Sequence, residues 1–155
     1  MTDQQSVFHA LRASVDDLAR ELDRLPVEAA AWRPGENEWS QLECLKHLQV
    51  TERHIFLARL RAMAAQDNPF LPVIDEKDLM EKSSGQSRDE LLADLRAARR
   101  EEVALLETHD WSRPGVHETR GPISMGWTAH YTLGHTWEHL SQMMRARLSY
   151  ETRKK

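Results

Sequence analysis

An all-α four-helix bundle is the fold class that this sequence predicts, on three observations. Apolar residues recur at helical spacing in four long stretches, S-x-x-E capping boxes open two of them, and no apolar-polar alternation runs long enough to suggest a sheet. The 155 residues suffice for one full core and fall short of two ordinary domains, so a single domain over 1–155 is expected.

In the first stretch Phe8, Leu11, Val15, Leu18, Leu22 and Leu25 draw one apolar stripe along a helix of about residues 4–24, which Pro26 helps to end. The second helix begins at Ser40, whose hydroxyl caps it while Glu43 reaches back, and runs to about Ala65. Leu42, Leu45, Leu48, Ile55, Phe56, Leu60 and Met63 make its apolar side, and His47 borders that side with Cys44, Thr51 and Ala58. Ser87 and Glu90 open a third helix over about 88–108, with Leu91, Leu92, Leu95, Val103, Leu105 and Leu106 toward the core and Arg- and Glu-rich faces toward water. The fourth spans about Thr128 to Leu148, with Leu133, Leu140, Met143 and Met144 on its apolar side. The connectors 25–39, 66–86 and 109–127 exceed the roughly two to eight residues usual in bundles. Simple up-down-up-down order is therefore not forced, crossovers are possible, and the loops can wall a pocket.

The net charge of −4, with acidic and basic residues interspersed, argues against nucleic-acid binding. Arg153, Lys154 and Lys155 read as a short solvated tail. No apolar run approaches the roughly 20 residues of a membrane span, and MTDQQSVFHA lacks the parts of a signal peptide, so a cytoplasmic protein is expected. The single cysteine, Cys44, agrees with a reducing compartment; three residues before His47, it reads as a small buried hydrophobe rather than a ligand.

His135 and His139, in GHTWEHLSQM, lie one helical turn apart and can converge on a single ion. His47 is the best third ligand. Three imidazoles would leave an open coordination position, the mark of a catalytic rather than a structural site. Eight histidines in this length give about 0.4 pairs at any one spacing by chance, so separate polar core or boundary histidines remain the competing reading. His54 follows His47 by seven residues on the same face, but about 10 Å further along the axis, too far for the same ion. His130 points elsewhere, and His9, His109 and His117 stand near termini or in loops. His117 and Arg120 can line a pocket mouth for an anion, with ordinary loop polarity as the alternative. Glu138 points about 100° from His139 and reads as solvent-facing. Glu52, near the apolar side, needs a partner, either as a buried structural bond or behind a metal ligand. Of the tryptophans, Trp39 reads as the staple of the second helix. Trp32, Trp111 and Trp127 close bundle ends, and Trp137 serves a helix or dimer contact.

The run AAAWRPGENEWSQLECLKHLQVTERH, followed by a crossover, a third helix and RPGVHETRGPISMGWTAHYTLGHTWEHLSQM, resembles the DinB/YfiT superfamily of small bacterial metal-binding bundles over essentially the whole chain. The Trp-Ser helix start before the histidine of ECLKHL, and the H-x-x-x-H before Leu and Gln, are its most specific parts. The resemblance implies an up-down-down-up bundle, often dimeric, and a metal held by His47, His135 and His139. Among the relatives it implies are transferases or isomerases that use glutathione, mycothiol or bacillithiol. Nickel, zinc, iron and manganese all suit imidazole ligands. A coordinated thiol would become a nucleophilic thiolate, whereas a coordinated water would support hydrolysis. The expectation is thus a metal-dependent transferase using a small thiol, set against a noncatalytic metal-binding stress-response or interaction protein, or histidines that bind nothing.

Overall fold

The structure, a computed structural model, describes residues 2–83 and 85–153; Lys154 and Lys155 of the basic tail lie outside them. Helix α1 (Asp3–Leu22) is capped by Thr2, with Gln5 reaching back. After a 3-10 turn (Val27–Ala29), α2 (Gln41–Thr51) opens on the Ser40–Glu43 capping box. It continues through a π-helical turn (Glu52–Phe56) into α3 (Leu57–Ala65). Strand β1 (Phe70–Leu71) and the short helix α4 (Glu76–Lys82) follow, then α5 (Arg88–Thr108) behind its Ser87–Glu90 box. A hairpin of β2 (Pro114–His117) and β3 (Gly121–Ser124) leads into α6 (Met125–Thr152).

Two apolar clusters fix the directions of the helices. One gathers Val7 and Leu11 of α1, Leu60 and Met63 of α3, Val103 and Leu106 of α5, and Met125, Ala129 and Leu133 of α6. The other gathers Val15, Leu18 and Leu22, then Cys44, Leu45 and Leu48, Leu91 and Leu95, and Met143. Thus α1 and α6 run from the first cluster to the second, while α2–α3 and α5 both run back. The order is up-down-down-up. Parallel α3 and α5 need a connection that retraces the bundle, which is why the segment between them is long and carries β1 and α4.

Three sequence expectations are corrected. A small sheet of order β1-β2-β3 exists, with β1 parallel to β2 and β2 antiparallel to β3. Its strands of two to four residues are too short for alternation to register. Second, α6 begins at Met125 because Ser124, not a later residue, caps it by accepting from the Trp127 N–H at 3.1 Å. Third, α5 is not wet on every polar position: Arg99 and Glu102 are buried at 2% and 0% exposure.

Arg99 satisfies its guanidinium against all the other long helical segments. It pairs with Glu52 in the π turn, donates to Leu11 O and Ser14 Oγ of α1 at 2.6 and 2.9 Å, and donates to Thr136 Oγ1 of α6 at 2.9 Å. A buried charge held this way loses little to desolvation because each donor has an acceptor. Glu52 therefore has the buried structural role among the two roles expected of it.

Candidate metal centre

The capping box that starts α2 also sets the position of His47, seven residues after the Ser40 cap, and Arg33 braces the box through an ion pair with Glu43. His135 and His139 project from one side of α6. The two helices bring the three rings together, with centroids 5.0 Å apart for His47–His135, 4.6 Å for His47–His139 and 4.6 Å for His135–His139. One nitrogen from each ring lies within 4.8 Å of the other two, close enough for the group to hold a metal ion. An ion about 2.0–2.1 Å from each nitrogen would draw them to roughly 3.3 Å in tetrahedral geometry. His47 Nε2 and His135 Nε2 already stand 3.0 Å apart. Two imidazole lone pairs at that distance repel unless a proton or a cation lies between them.

The surroundings keep the rings unprotonated. Burial, followed by the neighbouring His139, lowers the pKa of His47 to about 4. Burial, then His139, His47 and Arg99, lowers that of His135 to about 3. His139 is also lowered, chiefly by burial. Neutral imidazole is the ligand form. His139 donates from Nδ1 to Gln142 Oε1 at 3.0 Å, which leaves its Nε2 lone pair free toward the other rings. Glu76 Oε2 stands 3.8 Å from His47 Nδ1, beyond direct hydrogen-bond reach. Trp39 walls the site, its ring 4.9 Å from His47 and stacked 6.0 Å from His139; Phe56 meets His135 edge-on at 5.3 Å. The donor set, its neutrality and its burial all fit a borderline transition metal.

A cleft of about 210 Å³ opens beside the triad, lined by His135, Phe56, Arg59, Glu76, His117, Arg120 and Tyr131 among others. His117 and Arg120 thus reach a pocket, the reading set against loop polarity in the sequence. His54 does not share the face of His47. The π turn adds a residue between them, which rotates later positions by about 100°, so His54 is exposed while Ile55 and Phe56 are buried. Cys44 is fully buried, and burial raises its thiol to about 12, which excludes it as a ready thiolate. Glu138, His9 and His130 are exposed, and His109 Nδ1 is engaged with Leu105 O. Sequence reasoning missed Trp39 as a wall, and it missed Arg59, Glu76 and Gln142. Gln142 was within reach as the i+3 neighbour of His139. Arg59 was hidden by the unforeseen π turn and Glu76 by the unforeseen α4.

The fold is shared with known proteins. The chain is similar in structure to YfiT from Bacillus subtilis, described as a probable metal-dependent hydrolase with an unusual four-helix bundle topology. The TM-score is 0.86 at 16% identity, covering 97% of this chain and 90% of that one. A histidine-to-alanine mutant of the mycothiol-dependent maleylpyruvate isomerase matches with a TM-score of 0.72 at 13% identity over 92% of this chain, which spans 61% of the isomerase. A DinB family protein from Exiguobacterium sibiricum 255-15 gives 0.68 at 17% identity, covering 100% and 97% of the two chains. No curated protein sequence matches significantly. These likenesses establish the fold, and a family profile described as the DinB superfamily matches residues 10–143. Most of the chain is thereby accounted for, and the protein belongs to the DinB superfamily.

Proposed function

We propose that His47, His135 and His139 hold one divalent transition metal and that the protein is a metal-dependent transferase using a low-molecular-weight thiol of the glutathione, mycothiol or bacillithiol type. The convergence of three neutral imidazoles beside an open cleft is the observation that carries this reading. Three protein ligands leave a position for an exogenous ligand, whereas a structural site would be closed by a fourth. A divalent ion there supplies Lewis acidity, which favours the anionic, nucleophilic form of a thiol. Gln142 orients His139, Trp39 and Phe56 exclude water from the ring edges, and the cleft admits the second substrate. The mycothiol dependence of a structural neighbour favours the thiol; the description of YfiT as a hydrolase favours water as the nucleophile in the second reading.

The test is metal content by plasma mass spectrometry on protein purified without chelator, followed by cobalt substitution and titration with the three thiols. One equivalent of metal, lost in His135→Ala and His47→Ala but kept in His54→Ala, together with a sulfur-to-cobalt charge-transfer band, is the expected result. Metal without such a band would select hydrolysis or the noncatalytic metal-binding alternative. A protein that takes up no metal would end the reading.

No described helix is long and apolar enough to cross a membrane, and we place the protein in the cytoplasm without nucleic-acid partners, as its net charge of −4 suggests. We assign a homodimer through the outer face of α6. Trp137, Met144 and Leu148, at spacings of seven and four, are 51%, 41% and 52% exposed there. Sedimentation equilibrium should give a dimer that Trp137→Glu dissociates.

A further inference from the structure

The cleft beside His135 sets two arginines against one carboxylate, Glu76, and so keeps an excess of positive charge. Arg59 reaches it from α3 and Arg120 from the β2–β3 turn, with His117, Thr119 and Tyr131 around them. Elsewhere Arg33, Arg53, Arg61, Arg99 and Arg147 each meet a carboxylate. Among the described residues neither Arg59 nor Arg120 does, and Arg59 Nε is buried with no hydrogen-bond partner. A buried donor without an acceptor costs free energy, so the Arg59 Nε–H at the cleft wall is a donor that an incoming acceptor would satisfy.

The hairpin is folded to leave its donors available. His117, 5% exposed, accepts the backbone N–H groups of Thr119 and Arg120 at its Nδ1, at 3.2 and 3.3 Å. That fixes the neutral ring with its proton on Nε2, a donor rather than an acceptor. The Arg120 guanidinium lies 5.1 and 5.5 Å from the Tyr131 and Trp127 ring centroids, and its Nη2 is 3.3 Å from Tyr131 Oη. These contacts hold the arginine over the cleft without cancelling its charge. Glu76 also lines the cleft, 3.8 Å from His47 Nδ1; its charge is felt at Arg59, but the two make no ion pair. Burial, then the nearby Arg59 and Arg120, lowers the pKa of His117 against the pull of Glu118, so both arginines lie within electrostatic reach of this ring.

We propose that Arg59 and Arg120, flanked by His117 and Thr119, bind an oxyanion, foremost a carboxylate, of the small molecule that reacts at the histidine triad. The planar guanidinium fork matches a carboxylate at two points, which would orient the substrate as well as attract it. The inference rests on the metal-centred reading only for where the reacting end of that molecule lies; the anion contact is measurable by itself.

The test is a titration of 15N-labelled, zinc-loaded protein with succinate, inorganic phosphate and succinamide, followed by the arginine Nε–Hε resonances. If the protein does not take up zinc, the same titration is run on it as purified. Succinate should shift the Arg59 and Arg120 signals saturably and succinamide should not. Arg120→Gln, at an exposed position, and Arg59→Gln should each weaken succinate binding about tenfold or more, the usual loss for a charge-assisted bond. Tighter binding of phosphate with the same arginine dependence would keep the subsite and assign it to a phosphorylated compound. No saturable shift, an equal response to succinamide, or binding unchanged in both variants would overturn the proposal. Anion binding in a protein that takes up no metal would overturn the metal-centred reading instead and leave the subsite standing.

Discussion

His47 Nε2 and His135 Nε2 face each other at 3.0 Å inside a wall of aromatic rings, and this contact governs how the site should respond to acid. Ordinary imidazoles near pKa 6.5 lose metal steeply as pH falls below that value because protons compete for the same lone pair. With His47 lowered to about 4 and His135 to about 3, competition starts much later. Zinc affinity, measured by competition with a chromophoric chelator, should begin to fall at a lower pH than three ordinary imidazoles would give, since His139 is lowered as well. A steep loss that sets in below about pH 6.5 would show that the rings titrate normally. Gln142→Ala should weaken zinc about 10- to 100-fold without abolishing it, since it removes the bond that orients His139 but no ligand. The His135–His139 pair was legible because i,i+4 spacing is a local signal, whereas His47 was a best candidate that the family resemblance joined to them. Trp39 was read only as a helix staple, since nothing in its own neighbourhood shows that α6 arrives beside it.

The continuous helix of α2, the π turn and α3 shows where local reading stops. Its start and end were legible from the Ser40–Glu43 box and the apolar stripe, but the extra residue within Glu52–Phe56 changes no amino-acid pattern that a 3.6 period would notice. Its effects are spatial: His54 turns out, Phe56 turns onto His135, and Glu52 turns in to Arg99. Arg99 then links α5 to α1, the π turn and α6. Arg99→Leu should destabilise the protein by about 3–5 kcal/mol in urea unfolding, because Glu52 would be left as a buried unpaired charge. Adding Glu52→Gln should recover part of that loss. A double variant no more stable than Arg99→Leu would mean that the bonds to Leu11, Ser14 and Thr136 matter more than the ion pair. The short strands were missed for a related reason. Their pairing is long-range, joining the end of α3 to the connector before α6, and Gly115 permits it by leaving room for Leu71 and Met63.

At the scale of the whole bundle, one buried cation faces two buried carboxylates. Arg99 pairs with Glu52, and Glu102 lies one helical turn along with Oε2 3.6 Å from Arg99 Nε. Burial, then the charge of the adjacent Glu52 and a hydrogen bond shared with it, holds the Glu102 pKa well above the ordinary value against the opposing pull of Arg99 and Thr132. A protonated Glu102 makes the interior electrically neutral. The consequence is a slope in global stability. Above about pH 4.3 the unfolded chain releases this proton while the folded protein keeps it, so stability falls as pH rises until the folded group also ionises. Glu102→Gln has nearly the same shape and no proton to lose. Its melting temperature should match wild type near about pH 4 and exceed it increasingly as pH rises above that, until the folded Glu102 ionises, in scans of metal-loaded protein that hold the histidine contribution constant. Parallel profiles for the two proteins would mean that Glu102 is ionised in the folded protein; Arg99 would then offset only one of the two carboxylates, leaving a net negative charge in the interior, a setting that would favour a bound cation.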